Sequence, residues 1–89
     1  MMLNNAAIRS AAREAASQIA GRPIKDGQRL VSSGFIDSLS ILRLISLLEK
    51  KLNVSIPSET LQPEDFDDLD LIVETVERVA RPASQAPKG

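Results

Sequence analysis

The sequence predicts an all-α fold: a small four-helix bundle of three main helices and one short one, with a long first loop. Three observations carry this. Apolar residues recur at i, i+3, i+4, i+7 spacing in three separate segments. Each segment follows an Asn, Asp or Ser able to cap a helix, and no stretch reads as a credible strand. At 89 residues and 43% hydrophobic content, the chain can bury one core, and a thin one.

The first helix is expected from about Asn5 to Ala20. Ile8, Ala11, Ala12, Ala15, Ala16 and Ile19 make its inner face, and the alanines allow close approach of a neighbouring helix. Asn4 or Asn5 can cap the start, and Gly21 with Pro23 ends it. The connection from Gly21 to Asp37 is long for so small a domain, and loops of that kind are often functional. Ile24, Leu30, Val31 and Phe35 are spaced to pin it to the core.

The second helix is expected over roughly Ser38 to Asn53. At about 100° per residue, Ile41, Ile45, Leu48 and Leu52 share one side with Leu44 at its edge, and Leu47 falls opposite. Leu39 and Leu42 lie on another face with Ser38, Arg43, Ser46 and Lys50, an arrangement suited to docking a partner. Val54-Ser55-Ile56-Pro57 then runs extended. Pro63-Glu64-Asp65-Phe66 reads as a single helical turn with Pro at its first position and acids after it. A last helix, about Leu69 to Ala80, follows the cap candidates Asp67 and Asp68, with Leu69, Ile72, Val73, Val76, Val79 and Ala80 as its stripe. Residues 1–81 are read as one domain and 82–89 as a polar, proline-interrupted, disordered tail.

Composition excludes much chemistry. The chain has no cysteine and no histidine, which removes thiolate and imidazole metal ligands, a cysteine nucleophile and any Ser-His-Asp triad. Lys25, Lys50, Lys51 and Lys88 show no spacing that would aim a base at Ser38. No catalytic residue and no metal site is therefore expected. A net charge of −1 and only two aromatic residues argue against nucleic-acid binding. Arg43, Lys50 and Lys51 alone do not make a recognition helix. Basic residues gather before position 30 and eight acidic ones lie between 54 and 81, a polarity that could orient a partner. No apolar stretch is long enough to span a bilayer, and the first residues lack a signal-peptide core. A cytoplasmic monomer is the expectation.

The segment Gly34-Phe35-Ile36-Asp37-Ser38-Leu39 puts one hydroxyl where a loop becomes a helix. A group attached to Ser38 would project from a helix N-terminus, where free N–H groups and the macrodipole favour a phosphate. A dipeptide such as Asp37-Ser38 is by itself more often a cap than a modification site. The long anchored loop before it and the non-core Leu39 beside it favour a modified serine.

From Asp26 to Val79 the chain resembles the acyl carrier protein superfamily, including aminoacyl and peptidyl carriers. Gly34 to Leu39 matches the attachment motif, Leu48 to Pro57 the end of the second helix and its loop, and Pro63 to Phe66 with Leu69 to Val79 the last two helices. The resemblance implies 4′-phosphopantetheine joined covalently to Ser38, Asp37 assisting the modifying transferase and its metal, and Leu39 and Leu42 as apolar contacts. It implies three kinds of partner: a phosphopantetheinyl transferase, an adenylating acyl or aminoacyl ligase, and downstream acyl-transferring enzymes. Fatty-acid members are typically acidic along the second helix, whereas here Ser40, Arg43, Lys50 and Lys51 leave only Asp37 and Glu49 negative. That departure favours a stand-alone aminoacyl- or peptidyl-type carrier of specialised metabolism. A polyketide- or fatty-acid-type carrier, and an unmodified helical interaction module, are the alternatives.

Overall fold

The computed structural model describes residues 4–82. Three α-helices, α1 (Asn5–Ala20), α2 (Ser38–Leu52) and α3 (Leu69–Val79), form the bundle, with short 3₁₀ turns at Ser58–Thr60 and Pro63–Phe66. α1 packs against both α2 and α3. Its small residues make this possible: Ala12, Ala15 and Ala16 are fully buried, so the neighbouring backbones come close. Asn4 caps α1 through its side chain to the Ala7 amide at 2.7 Å, and Gly21, at φ 74°, ends it in the left-handed conformation that glycine adopts at least cost.

The core joins all three helices to the loops. Ile8, Leu30, Ile36, Leu44, Leu48, Phe66, Leu69, Ile72, Val73 and Val76 are its largest fully buried side chains. Leu44, at the edge of the inner face of α2, is fully buried, while Leu52 is only half-buried. Leu47 packs part of its side chain against the same core instead of standing opposite it. Among the expected loop anchors, Ile24 and Leu30 are buried and Val31 and Phe35 half-buried, and Ile36 joins them.

The expectation of no strand is corrected in one place. Val54–Ser55 (β1) pairs antiparallel with Arg81–Pro82 (β2), Val54 opposite Pro82. Two residues per strand leave no periodicity to read, and the partner lies beyond α3. Of residues 82–89, read as a disordered tail, Pro82 is held in β2 and 83–89 lie outside the described residues. The last helix ends one residue short of the expected Ala80, which serves as its C-cap.

Part of the charge of the basic and acidic segments is paired inside the fold. Arg9 of α1 bonds Asp70 at the start of α3 at 2.6 Å, and Arg13 reaches Asp26 at 2.5 Å and the Ile24 carbonyl at 2.6 Å. These pairs are half-exposed, so each contributes little on its own. Arg9 ties α1 to α3 and also reaches Asp26, at 3.6 Å, so that with Arg13 it holds the beginning of the long loop against α1.

Candidate functional site

The long loop reaches Ser38 through two fixed points. Leu30 N–H donates to the Asp67 carbonyl at 2.6 Å, and Ile36 N–H donates to the Leu30 carbonyl at 2.9 Å. Between them the Asp67 carboxylate, itself buried, accepts from the amides of Val31 and Ser32, each at 2.9 Å, and from the Ser32 hydroxyl at 2.5 Å. Burial pushes the Asp67 carboxyl up. The hydrogen bonds from Ser32 and Val31 and the positive charge of Arg29, 3.5 Å away, outweigh it and hold the group below the usual carboxylate range. Asp68 is the residue that caps α3, its carboxylate taking the Leu71 amide at 2.8 Å. Of the two cap candidates, then, one caps the helix and the other clamps the loop. Arg22 stacks over the Phe35 ring at 4.5 Å, a further tie just before the motif.

The motif itself divides by burial. Ile36 sinks into the core at 1% exposure, while Asp37, Ser38 and Leu39 are all exposed, Leu39 at 79%. Asp37 is the N-cap of α2, its carboxylate accepting from the Ser40 amide at 2.8 Å. That hydrogen bond is the main reason its pKa lies below the usual value. Ser38 itself is exposed in the first turn. Leu42 follows at 58% exposure, and Arg43, Ser46 and Lys50 continue the same exposed face. The expected site residues therefore share one surface, with Ser38 at its end.

Two features of this region went unread in the sequence. A cleft of about 120 Å³ opens beside Ser38, lined on the far side by Ser58, Leu61, Gln62 and Pro63. A shallow groove of about 290 Å³ runs along α2, where Gln18 of α1 joins Leu42, Arg43, Ser46, Leu47 and Lys50. Both depend on contacts between distant segments, which no local pattern carries. Among the described residues no group of three or more acidic side chains could hold a metal ion, and no helix is long and apolar enough to cross a membrane.

A family model described as the phosphopantetheine attachment site matches residues 10–76, most of the chain. The protein belongs to that family. Domains of this family are where 4′-phosphopantetheine is covalently attached, so the chain is a phosphopantetheine-carrying carrier protein. Such a carrier interacts with a phosphopantetheinyl transferase and with acyl-handling enzymes. Neither a curated protein nor a solved structure matches the chain at a significant level.

The residues of the carrier's first α2 turn fit the group. The arm's phosphodiester needs an accessible hydroxyl and an environment tolerant of an anion, and the exposed start of a fifteen-residue helix offers both. Asp37 tempers this attraction, because its carboxylate already stands at the cap. Solvent at this exposed position screens the repulsion.

Proposed function

We propose that Ser38 is the attachment residue and that Asp37, Leu39, Leu42, Arg43, Ser46 and Lys50 form the face on which partner enzymes dock. The observation that carries the reading is the exposure pattern across one short segment: Ile36 is buried and the next three residues stand in solvent. Burial of Ile36 fixes the backbone, so the position of the hydroxyl is set by the core although the hydroxyl itself is free. When bound, phosphopantetheine supplies a terminal thiol that carries an acyl group as a thioester. The chain's own part is to hold the Ser38 oxygen at a defined point, present apolar Leu39 and Leu42 beside it, and supply no reactive group. Lack of cysteine and histidine fits that last role, since neither a competing thiolate nor an imidazole base sits near the thioester.

A non-catalytic role is further supported by the size of the cleft at Ser38. At about 120 Å³ it is well below the roughly 300–1,000 Å³ typical of small-molecule sites. Our reading of the cargo is an aminoacyl or peptidyl group, loaded by a dedicated adenylating ligase in specialised metabolism. The cationic α2 face supports it, because Arg43 and Lys50 stand where fatty-acid carriers typically present acids.

The test of attachment is intact mass after incubation with coenzyme A and a broad-specificity phosphopantetheinyl transferase. The expected result is a gain of one phosphopantetheine that Ser38→Ala abolishes. No gain with several transferases, or a gain that survives Ser38→Ala, rules against the assignment. The cargo is tested by competition among amino, aryl and fatty acids for ligase-dependent loading of the modified protein. Preference for a fatty acid would overturn that part of the reading.

A further inference from the structure

We propose that the groove between α1 and α2 receives an apolar side chain flanked by carboxylates, presented by an acyl-handling partner enzyme. The proposal rests on the reading of α2 as the docking face and adds the chemistry of what docks there.

The groove mixes apolar, polar and cationic lining. Exposed Leu42 and half-buried Leu47 are its apolar part, Gln18 and Ser46 its polar part, and Arg43 and Lys50 its charge. Its volume of about 290 Å³ lies just under the lower end of the roughly 300–1,000 Å³ range of small-molecule sites, and it is open to solvent. A protruding side chain suits that shape better than an enclosed ligand does.

The charge around it is not balanced from within. Glu14 pairs with Lys51 at 3.0 Å, the Glu49 carboxylate accepts the Ile56 amide at 2.8 Å, and Asp37 caps the helix. The acid of α1, the acid of α2 and the cap residue Asp37 are thus engaged elsewhere, and Arg43 and Lys50 have no ion-pair partner among the described residues. The cationic lining is a local feature of a chain whose net charge is −1. An approaching surface with carboxylates around an apolar tip would complement both the cations and the leucines, whereas a basic surface would meet like charge.

The experiment uses the ¹⁵N-labelled full chain and two synthetic amphipathic helical peptides with the same Leu/Phe face, one flanked by Glu and one by Lys. The Glu-flanked peptide should shift the amides of Gln18 and of residues 42–50. Its binding should weaken about three- to tenfold in Arg43→Glu/Lys50→Glu, because two exposed ion pairs each contribute modestly. It should also weaken between about 0.01 and 0.15 M salt, where the screening length falls from roughly 30 to 8 Å. The Lys-flanked peptide should favour the double variant. Both replaced side chains are exposed, so the variant keeps its fold, which circular dichroism checks. Equal binding of the two peptides to the wild type, no binding of the Glu-flanked one, or shifts centred outside the groove would overturn the proposal. So would concentration-dependent shifts of the same amides without peptide, which would make the groove an interface between copies of the chain. Ser38→Ala should bind the Glu-flanked peptide like the wild type, so failure here and failure of attachment at Ser38 are separately visible.

Discussion

Removing the Asp67 carboxylate should loosen the loop that delivers Ser38 without touching the motif. Asp67 is 7% exposed and accepts three hydrogen bonds from Val31 and Ser32, with Arg29 at the margin of contact. Hydrogen bonds to a charged group contribute about 1.5–3 kcal/mol each, but Ser32 is exposed and its freed donors can rehydrate, so the low end applies. Asp67→Ala should therefore cost about 3–5 kcal/mol. Asp67→Asn keeps an oxygen for both amides and loses the charge, so about 1–2 kcal/mol is expected. A domain of 89 residues has a total stability of roughly 4–13 kcal/mol, so the alanine variant approaches the unfolding threshold. With about 4–8 °C in Tm per kcal/mol for a domain this size, Asn should lower Tm by about 4–16 °C and Ala by about 12 °C or more.

Thermal and urea unfolding followed by circular dichroism measures both variants, and amide exchange at Val31 and Ser32 localises the effect. The pH dependence adds an independent check. The folded pKa of Asp67 lies below its usual value, so its stabilisation is complete above the unfolded pKa of about 4 and is lost as pH falls through the folded value. The wild type should lose stability faster than Asp67→Asn as pH drops below about 4. An alanine variant within ~0.5 kcal/mol of the wild type, the range of an ordinary surface substitution, would refute the clamp. Parallel acid profiles for wild type and Asp67→Asn would refute the charge argument.

Two further perturbations separate stability from docking. Asp37→Asn should preserve the α2 cap, since Asn caps about as well as Asp, while Asp37→Ala loses it. If the charge serves the transferase, both variants slow phosphopantetheine transfer, and normal rates in Asp37→Asn would reduce Asp37 to a cap. Leu39→Ala and Leu42→Ala should leave Tm within a few degrees because both side chains are exposed, yet lower kcat/KM for transfer. Leu44→Ala, fully buried, should do the reverse, costing about 2–5 kcal/mol with little direct effect on transfer at temperatures where it is folded. An exchange of these two phenotypes would mean that the faces of α2 are misassigned.

What was legible in the sequence was what local spacing encodes. The bounds of α1, the start of α2, the turn at Pro63–Phe66 and the exposure of Leu39 and Leu42 all follow from periodicity and caps within a few residues. Asp67 and Asp68 show the limit of that method. Both are plausible caps from their position before Leu69, and only a contact with Val31 and Ser32, 36 and 35 residues away, decides that Asp67 faces the loop. The β1–β2 pairing and the groove that Gln18 completes are hidden for the same reason. Leu47 packs partly against the core although a helical wheel puts it opposite, because a wheel carries no information about neighbouring elements.

These nonlocal contacts explain how so thin a bundle can hold an attachment point steady. Backbone anchoring comes from buried Leu30 and Ile36, which bracket the loop and hydrogen-bond to one another. Polar anchoring comes from Asp67 between them, and the ion pairs of Arg9 and Arg13 with Asp26 restrain the loop's beginning. Each exposed ion pair alone is weak, but the loop needs only to be prevented from lifting, and several short tethers along it divide that task. A free seventeen-residue loop would spread the hydroxyl over many positions and cost conformational entropy at each docking event. Pinned in this way, the start of α2 is settled before a partner arrives, so on the docking face proposed above no binding energy need be used to order it.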